Sequence, residues 1–514
     1  MKSNYPIGVQ TFSKIREDNN LYIDKTKQVY QLAKEGGYYF LARPRRFGKS
    51  LLISTLNSLF SGKKELFKGL WIEDKWDWKK KHPIIYIPFN ILSYKEESLD
   101  SVLSICLDEQ AQASGITLSE ASAPRKFSEF IKKSHAATGK KVVVLIDEYD
   151  KALIDFLDDN TQFETNRSFL KSFYGIMKPS DEYLEFVLLT GVSQFSKVSI
   201  FSDLNNIQDI TIHSNFGDIV GISQEDLENY FDAELNTISK AKNITKEVFL
   251  DNIKTWYNGY TWDLKTTLYN PFSLLLFFSN NGVFNNYWFQ TGAPFFLIKE
   301  LRKRRIFHVD DVKTTAENLT SFDAQSIDTS CLLFQTGYLT LEKQDERTGI
   351  YTLKYPNQEV RHALSQYLVA SYRYQNEAAL PTVVDFLIAL ESGDVAQAMV
   401  HINTIFSTIP YDLWKEDNEH FYHALIHLTF VLLGAYVQSE IHSSNGRCDA
   451  LIQTDKYIYA FEFKLNKGAK IALQQIEDKG YLAPYVNSPK QKIAVGINFS
   501  KAKKSVHQFL TKEY

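Results

Sequence analysis

Tyr38-Tyr-Phe-Leu-Ala42, Arg43-Pro-Arg-Arg-Phe-Gly48 and Lys49-Ser-Leu-Leu-Ile-Ser-Thr-Leu-Asn-Ser-Leu-Phe60 follow one another without a gap and decide the reading of the N-terminal half. The aromatic and apolar run predicts a buried strand, the Arg/Pro/Gly segment a turn, and the last segment an amphipathic helix. A strand-to-helix turn is where unpaired helix N-terminal amides converge on an anionic ligand. Lys49 is expected to meet β- and γ-phosphate oxygens, and Ser50 to offer its hydroxyl to Mg²⁺, while Gly48 lets the backbone come close. The expected cofactor-binding loop is therefore Arg43, Pro44, Arg45, Arg46, Phe47, Gly48, Lys49 and Ser50. Arg43 stands where such loops usually have their first glycine. The plainer alternative is a basic strand-end turn with a chance Gly-Lys-Ser.

Further β-type runs at 84–89, 142–146 and 186–189 are separated by helical stretches, which predicts a parallel sheet covered by helices. The run Val142-Val-Val-Leu-Ile146 delivers Asp147 and Glu148 to the strand's C-terminal end, where open α/β sheets bind ligands. Asp147 suits the Mg²⁺ shell, and Glu148 is the candidate base for an attacking water. Acids are also favoured there simply because a helix begins. Thr190 either senses the γ-phosphate or is an ordinary strand-end residue. Arg45 and Arg46 are near the phosphates in sequence, but neither can be assigned as an arginine finger.

A second constellation lies near the C-terminus. Ile458-Tyr-Ala-Phe-Glu-Phe-Lys464 can alternate as a strand, with Glu462 and Lys464 on one face and Tyr459, Phe461 and Phe463 on the other. The preceding strand-like run, 447–454, carries Asp449, and a turn at Asp455-Lys456 would pair the two as a hairpin that brings Asp449 to Glu462. Two carboxylates on one hard cation, with a lysine beside them, can bind Mg²⁺ or Mn²⁺ and activate water against a phosphodiester. Alone, Glu-x-Lys mostly marks a solvated strand face. Residues 464–514 hold ten lysines against Glu477, Asp478 and Glu513, an excess that could follow a phosphate backbone or simply be solvated.

These motifs resemble those of bacterial AAA-ATPase-like proteins with a C-terminal PD-(D/E)XK nuclease-superfamily domain. The resemblance is carried by Tyr22-Ile-Asp-Lys-Thr26, the Arg43–Ser50 loop, Leu145-Ile-Asp-Glu-Tyr149, Thr190-Gly-Val-Ser193 and Ser202-Asp-Leu-Asn-Asn206. It continues through Trp256-Tyr-Asn-Gly-Tyr260, Tyr269-Asn-Pro-Phe272 and Pro356-Asn-Gln-Glu359, and so spans nearly the whole chain. It implies that Arg43 is normal in its place. It also implies that Glu440 corresponds to the acid of a helix preceding Asp449, and that Gln475 is the polar residue of the helix following Lys464. The implied metal ligands are Ser50 and Asp147 in one site and Glu440, Asp449 and Glu462 in the other, with Glu148, Asp449, Glu462, Lys464 and Gln475 catalytic.

The chain has 514 residues, a net charge of −3 and three cysteines. That length exceeds one ordinary core. The near-neutral charge gives no global nucleic-acid signature, and the cysteines show no CxxC spacing, so a disulfide framework is not expected and a reducing cytoplasm fits. The longest apolar stretch is too short to span a bilayer. The expected fold class is α/β. It comprises a P-loop NTPase parallel sheet (1–220), a helical lid without a strand ladder (221–330), a winged-helix-like module and helical connector (331–415), and a small restriction-endonuclease-like α/β domain (416–514). The function expected is an ATP-binding and ATP-hydrolysing protein controlling a metal-dependent nuclease. ATP and nucleic acid, DNA ahead of RNA, are the expected partners; no membrane is involved and an oligomer is allowed. The competing class is a nucleotide-dependent switch whose nuclease-like domain binds without cutting.

Overall fold

The computed structural model describes residues 4–193, 204, 206–288, 301, 312–320, 328–372, 380–407, 438–440, 449–454 and 456–514. Two compact units emerge, Met1–Thr291 with Asp310–Asn357, and Gly292–Val309 with Gln358–Tyr514. No helix among the described residues is long and apolar enough to cross a membrane.

In the first unit, β1 (Gly37–Ala42), β2 (Ile84–Pro88), β3 (Val142–Asp147), β4 (Leu184–Gly191) and β5 (Ile207–Asp209) form a sheet in the order β2-β3-β4-β1-β5. All its pairings are parallel. Every residue of β3 is buried, as a continuous Val/Leu/Ile run requires when both faces of a sheet are covered. Phe40 of β1 and Ile146 of β3 both lie opposite Leu189 of β4. The three strands therefore end at one edge, with Arg43, Asp147 and Gly191 at their tips.

Four helices, Gln224–Tyr230, Asp232–Ala241, Lys246–Tyr257 and Pro271–Ser279, follow. Their starts are chemically set. Ser223 and Asp226 form a reciprocal capping box, and Asn270 accepts from the amides of Phe272 and Ser273 ahead of Pro271. Phe231, Phe249, Tyr257, Phe277 and Phe278 build a separate aromatic core here. The expectation of no strand ladder needs correcting. β6 (Ile222–Ser223) pairs antiparallel with β7 (Leu268–Tyr269), a ladder too short to leave any periodicity in sequence. β8 (Val312–Thr314), β9 (Thr340–Gln344) and β10 (Tyr351–Lys354) form an antiparallel sheet in the order β8-β10-β9. This sheet belongs to the first unit, whereas the helices Gln358–Tyr372, Leu380–Glu391 and Val395–Ser407 belong to the second.

The second unit carries β11 (Gln438–Glu440), β12 (Ala450–Gln453), β13 (Tyr457–Leu465), β14 (Gln491–Ser500) and β15 (Ser505–Glu513), in that spatial order. Only β13 and β14 pair in parallel. Ile458 and Ala460 share a core with Ile476 of the helix Ala469–Lys479. Tyr459, Phe461 and Phe463 stack along the opposite face, where the Tyr459 hydroxyl donates to the Leu390 carbonyl at 2.7 Å. The helix comes closest at Gly496, opposite Glu462 in register. A Cβ there would lie 2.4 Å from the Leu473 amide nitrogen and 2.5 Å from the Ala469 carbonyl oxygen. Gly496→Ala should therefore cost about 1–3 kcal/mol through forced backbone displacement, read as a lowered midpoint in urea; an unchanged midpoint would show that the helix yields freely.

Candidate functional site

The loop from Arg43 to Ser50 departs from regular backbone at two residues. Gly48 has φ 100° as the N-cap of the helix Lys49–Phe60, a conformation that glycine adopts without steric cost. Arg46 also has a positive φ, 69°. Phe47 is buried, edge-on to Tyr260 and Trp262 at 4.9 and 5.2 Å, and its carbonyl accepts from Gly221 N. The Arg45 carbonyl accepts from Trp288 Nε1 at 3.2 Å. The loop is thus clamped from outside by the helical region.

Arg45, Arg46, Phe47, Gly48, Lys49 and Ser50 line a cleft of about 450 Å³ together with Glu148 and Asp150. Its walls also draw on Val9, Tyr22 and Lys25 from the N-terminal segment and on Val220 and Leu275. Arg43 and Pro44 are placed differently: both are buried and outside the cleft lining. Their carbonyls accept from Lys49 Nζ at 2.9 and 3.1 Å. Burial lowers the Lys49 pKa, against the opposing fields of Asp147, Glu148 and Asp150.

Asp147 is fully buried. Its Oδ1 accepts from Thr190 Oγ1 at 2.6 Å, while Oδ2 is buried without a hydrogen-bond partner. An orphaned carboxylate oxygen at this strand end fits a divalent cation. Glu148 is half-buried with φ 56°, and burial raises its pKa, helped by Asp147 and Asp150 and opposed by Lys49. Thr190 therefore touches the Asp147 carboxylate in this structure.

Asp150 also belongs to the site, although no motif in the sequence marks it. Its Oδ2 accepts from the amides of Val192 and Ser193 and from Ser193 Oγ, at 3.0, 2.7 and 2.6 Å. It pins the end of β4 to the end of β3, and Tyr149 reinforces the link by donating to the Ser193 carbonyl. Gly191 is required by the same packing, since a Cβ would sit 2.5 Å from the Tyr149 ring. The available signal was the acid three residues after Asp147, opposite a strand end rich in hydroxyls.

In the second unit the hairpin pairs Ala450 with Phe461, which sets Asp449 beside Glu462. Asp449 Oδ2 accepts from the Phe463 amide at 2.8 Å. Lys464 Nζ donates to Glu462 Oε1, also at 2.8 Å, and Glu462 Oε2 is buried without a partner. Burial and the neighbouring Asp449 push the Glu462 pKa up to about 7, against the pull of Lys464. Gln475 is half-buried on the helix Ala469–Lys479, which covers the face carrying Glu462 and Lys464.

Glu440 requires a correction. It lies on β11, opposite Leu451, and not on a helix; ladder pairing with β12 prevails over the weak helical preference of Gln-Ser-Glu. Its side chain, like Arg447 and Asp455, falls outside the described residues. Among the described residues, no cluster of three His, Cys, Asp or Glu side chains could hold a metal. The observed set is the pair Asp449 and Glu462.

The lysine-rich end is built into the helix Ala469–Lys479 and strands β14 and β15, and part of its charge is used internally. Lys512 pairs with Glu477, and Lys490 donates to the Thr454 carbonyl.

The fold and the two carboxylate sites define an ATPase-like unit joined to a nuclease-like one. Residues 6–201 match the family described as predicted AAA-ATPase, and residues 417–509 match the PD-(D/E)XK nuclease superfamily. The chain belongs to this family of AAA-ATPase-like proteins with a C-terminal PD-(D/E)XK nuclease-superfamily domain. It is 37% identical over 523 residues to the "Uncharacterized protein in vnfD 5'region" of Azotobacter chroococcum mcd 1, with 99% of each chain covered.

Proposed function

We propose that the first unit binds and hydrolyses ATP with Mg²⁺, and that the second cleaves nucleic-acid phosphodiesters, DNA ahead of RNA, under control of the first unit's nucleotide state. The observation that carries this is the buried, unpartnered carboxylate oxygen in each site, Asp147 Oδ2 and Glu462 Oε2. Each has cationic or hydroxyl partners already satisfying its other oxygen. A divalent cation, when bound, would supply charge neutralisation and an acidified water.

In the first unit, Asp147 and Ser50 would hold the cation, and Lys49 would leave its loop carbonyls for the phosphates. Glu148 would accept the proton of the attacking water; its raised pKa suits a base. In the second unit Asp449 and Glu462 would hold the cation, Lys464 would face the developing phosphate charge, and Gln475 would contribute a polar group from the covering helix. Glu148→Gln should keep ATP affinity but lower turnover about 10²- to 10³-fold, because an amide cannot take a proton. Parallel measurement of ATP binding and phosphate release tests this, and wild-type turnover would move the base role elsewhere.

The Glu462 pKa gives a pH prediction. Its folded pKa, about 7, lies above that of an unfolded glutamate, so the folded state holds the proton more tightly. In metal-free protein this group's stabilising effect is present below about pH 4.5 and is lost as pH rises through 7. Protons also compete with a cation for the carboxylate. Apparent Mn²⁺ affinity should therefore fall below pH 7, approaching about tenfold per pH unit for one competing proton. Calorimetric titration between pH 5.5 and 8 reads this directly, and a flat profile would remove Glu462 from the ligand set.

A further inference from the structure

We infer that Arg43 is a positioning residue for nucleotide turnover, holding the phosphate loop and its lysine in place from behind, with Trp262 as its buried contact. This rests on the ATP reading of the cleft.

Arg43 is 1% exposed. Its Nη1 donates to the carbonyls of Ala42 and Thr211 at 2.9 and 2.8 Å. Nη2 reaches those of Phe216 and Gly217 at 3.3 and 3.4 Å. The guanidinium lies 4.2 Å from the Trp262 ring centroid, close enough for a cation–π contact. Meanwhile the backbone of the same residue faces the chemistry. Its amide donates to the Gly191 carbonyl at the end of β4, and its own carbonyl receives Lys49 Nζ. One residue therefore joins the tip of β4, the 211–217 segment, Trp262 and the resting position of Lys49.

Stability alone does not account for this arrangement. A buried cation pays heavily for lost hydration, against the return from four carbonyls and the fields of Asp209, Asp263 and Asp218. What only the arginine fork supplies is direction: two donor pairs fix the loop's first peptide against two carbonyl groups each. When Lys49 leaves for a phosphate, the Arg43 and Pro44 carbonyls lose their donor, and the anchored guanidinium keeps the loop from following. Phe47, edge-on to the same indole, gives the loop a second contact with Trp262, so loop movement should reach that ring.

The test compares Arg43→Met, Arg43→Lys and Trp262→Phe with the wild type in Mg²⁺-dependent ATP turnover, thermal melting and ATP-dependent tryptophan fluorescence. Arg43→Met leaves those carbonyls without their donor and should melt below the wild type, yet, measured well below its own melt, it should also lose at least tenfold in kcat/KM. Arg43→Lys keeps the charge but cannot fork to both carbonyl pairs, so it should fall between the two. The fluorescence response to ATP should be present in wild type and diminished in Trp262→Phe and Arg43→Met, Trp288 on the Arg45 carbonyl accounting for what remains. Wild-type kcat/KM in folded Arg43→Met, or an undiminished response in Trp262→Phe, overturns the inference while leaving ATP binding intact. If Arg43→Met does not fold, Arg43→Lys decides, and a wild-type kcat/KM there overturns it. A wild-type protein that binds no ATP overturns the inference together with the reading beneath it.

Discussion

Lys49→Ala should lower affinity for Mg²⁺-ATP at least about a hundredfold. Each charge-assisted hydrogen bond is worth roughly 1.5–3 kcal/mol, and the ammonium is expected to serve oxygens of two phosphates. The geometry sharpens the expectation. Lys49 is buried among the fields of Asp147, Glu148 and Asp150, so its removal leaves the cleft with an uncompensated negative field facing an anionic ligand. The variant should still fold, because Lys49 bonds only to the Arg43 and Pro44 carbonyls in this state and its own burial is costly. Titration with a fluorescent ATP analogue measures the loss. Unchanged affinity would mean that the loop from Arg43 to Ser50 is not the phosphate cradle.

The second large effect concerns Asp449 and Glu462. Replacing either with alanine should reduce cleavage by about 10³-fold or more, since a single carboxylate could not hold and orient a hard cation as the proposed pair would. ATP affinity should stay near wild type in both variants, because the cleft is built entirely from first-unit residues; this separates lost chemistry from lost folding. Lys464→Ala should differ in kind. It removes the donor to Glu462 Oε1 but no carboxylate, so Mn²⁺ binding should survive while cleavage falls about 10²-fold. Calorimetry with Mn²⁺ beside a cleavage assay distinguishes the two patterns, and loss of Mn²⁺ binding in Lys464→Ala would show that the lysine only supports the carboxylates.

Much of this was legible in residue patterns. The buried run of β3 announces a covered parallel strand, and the alternation from Ile458 to Lys464 separates Glu462 and Lys464 from the aromatic face, as observed. Pairwise and through-space features were harder to read. Arg43 looked like part of the phosphate contact surface because sequence gives proximity along the chain, whereas the guanidinium turns back to Thr211 and Trp262. Asp150 and Gly191 gain their meaning only when β3 and β4 are set side by side, and Gly496 only when the helix Ala469–Lys479 is packed against β14. Glu440 was assigned to a helix by resemblance, and three residues of ladder pairing placed it on β11.

The measurement closest to the central claim is a cleavage assay with Mg²⁺ or Mn²⁺ on single- and double-stranded DNA and RNA, with and without ATP. Wild type should be run beside Asp449→Ala and Lys49→Ala. The account predicts metal-dependent cleavage by wild type that Asp449→Ala lacks, and an ATP effect on its rate that Lys49→Ala does not show. Wild-type protein that binds Mn²⁺ and ATP but cuts none of these forms would contradict it, leaving a nucleotide-dependent switch whose nuclease-like domain binds without cutting.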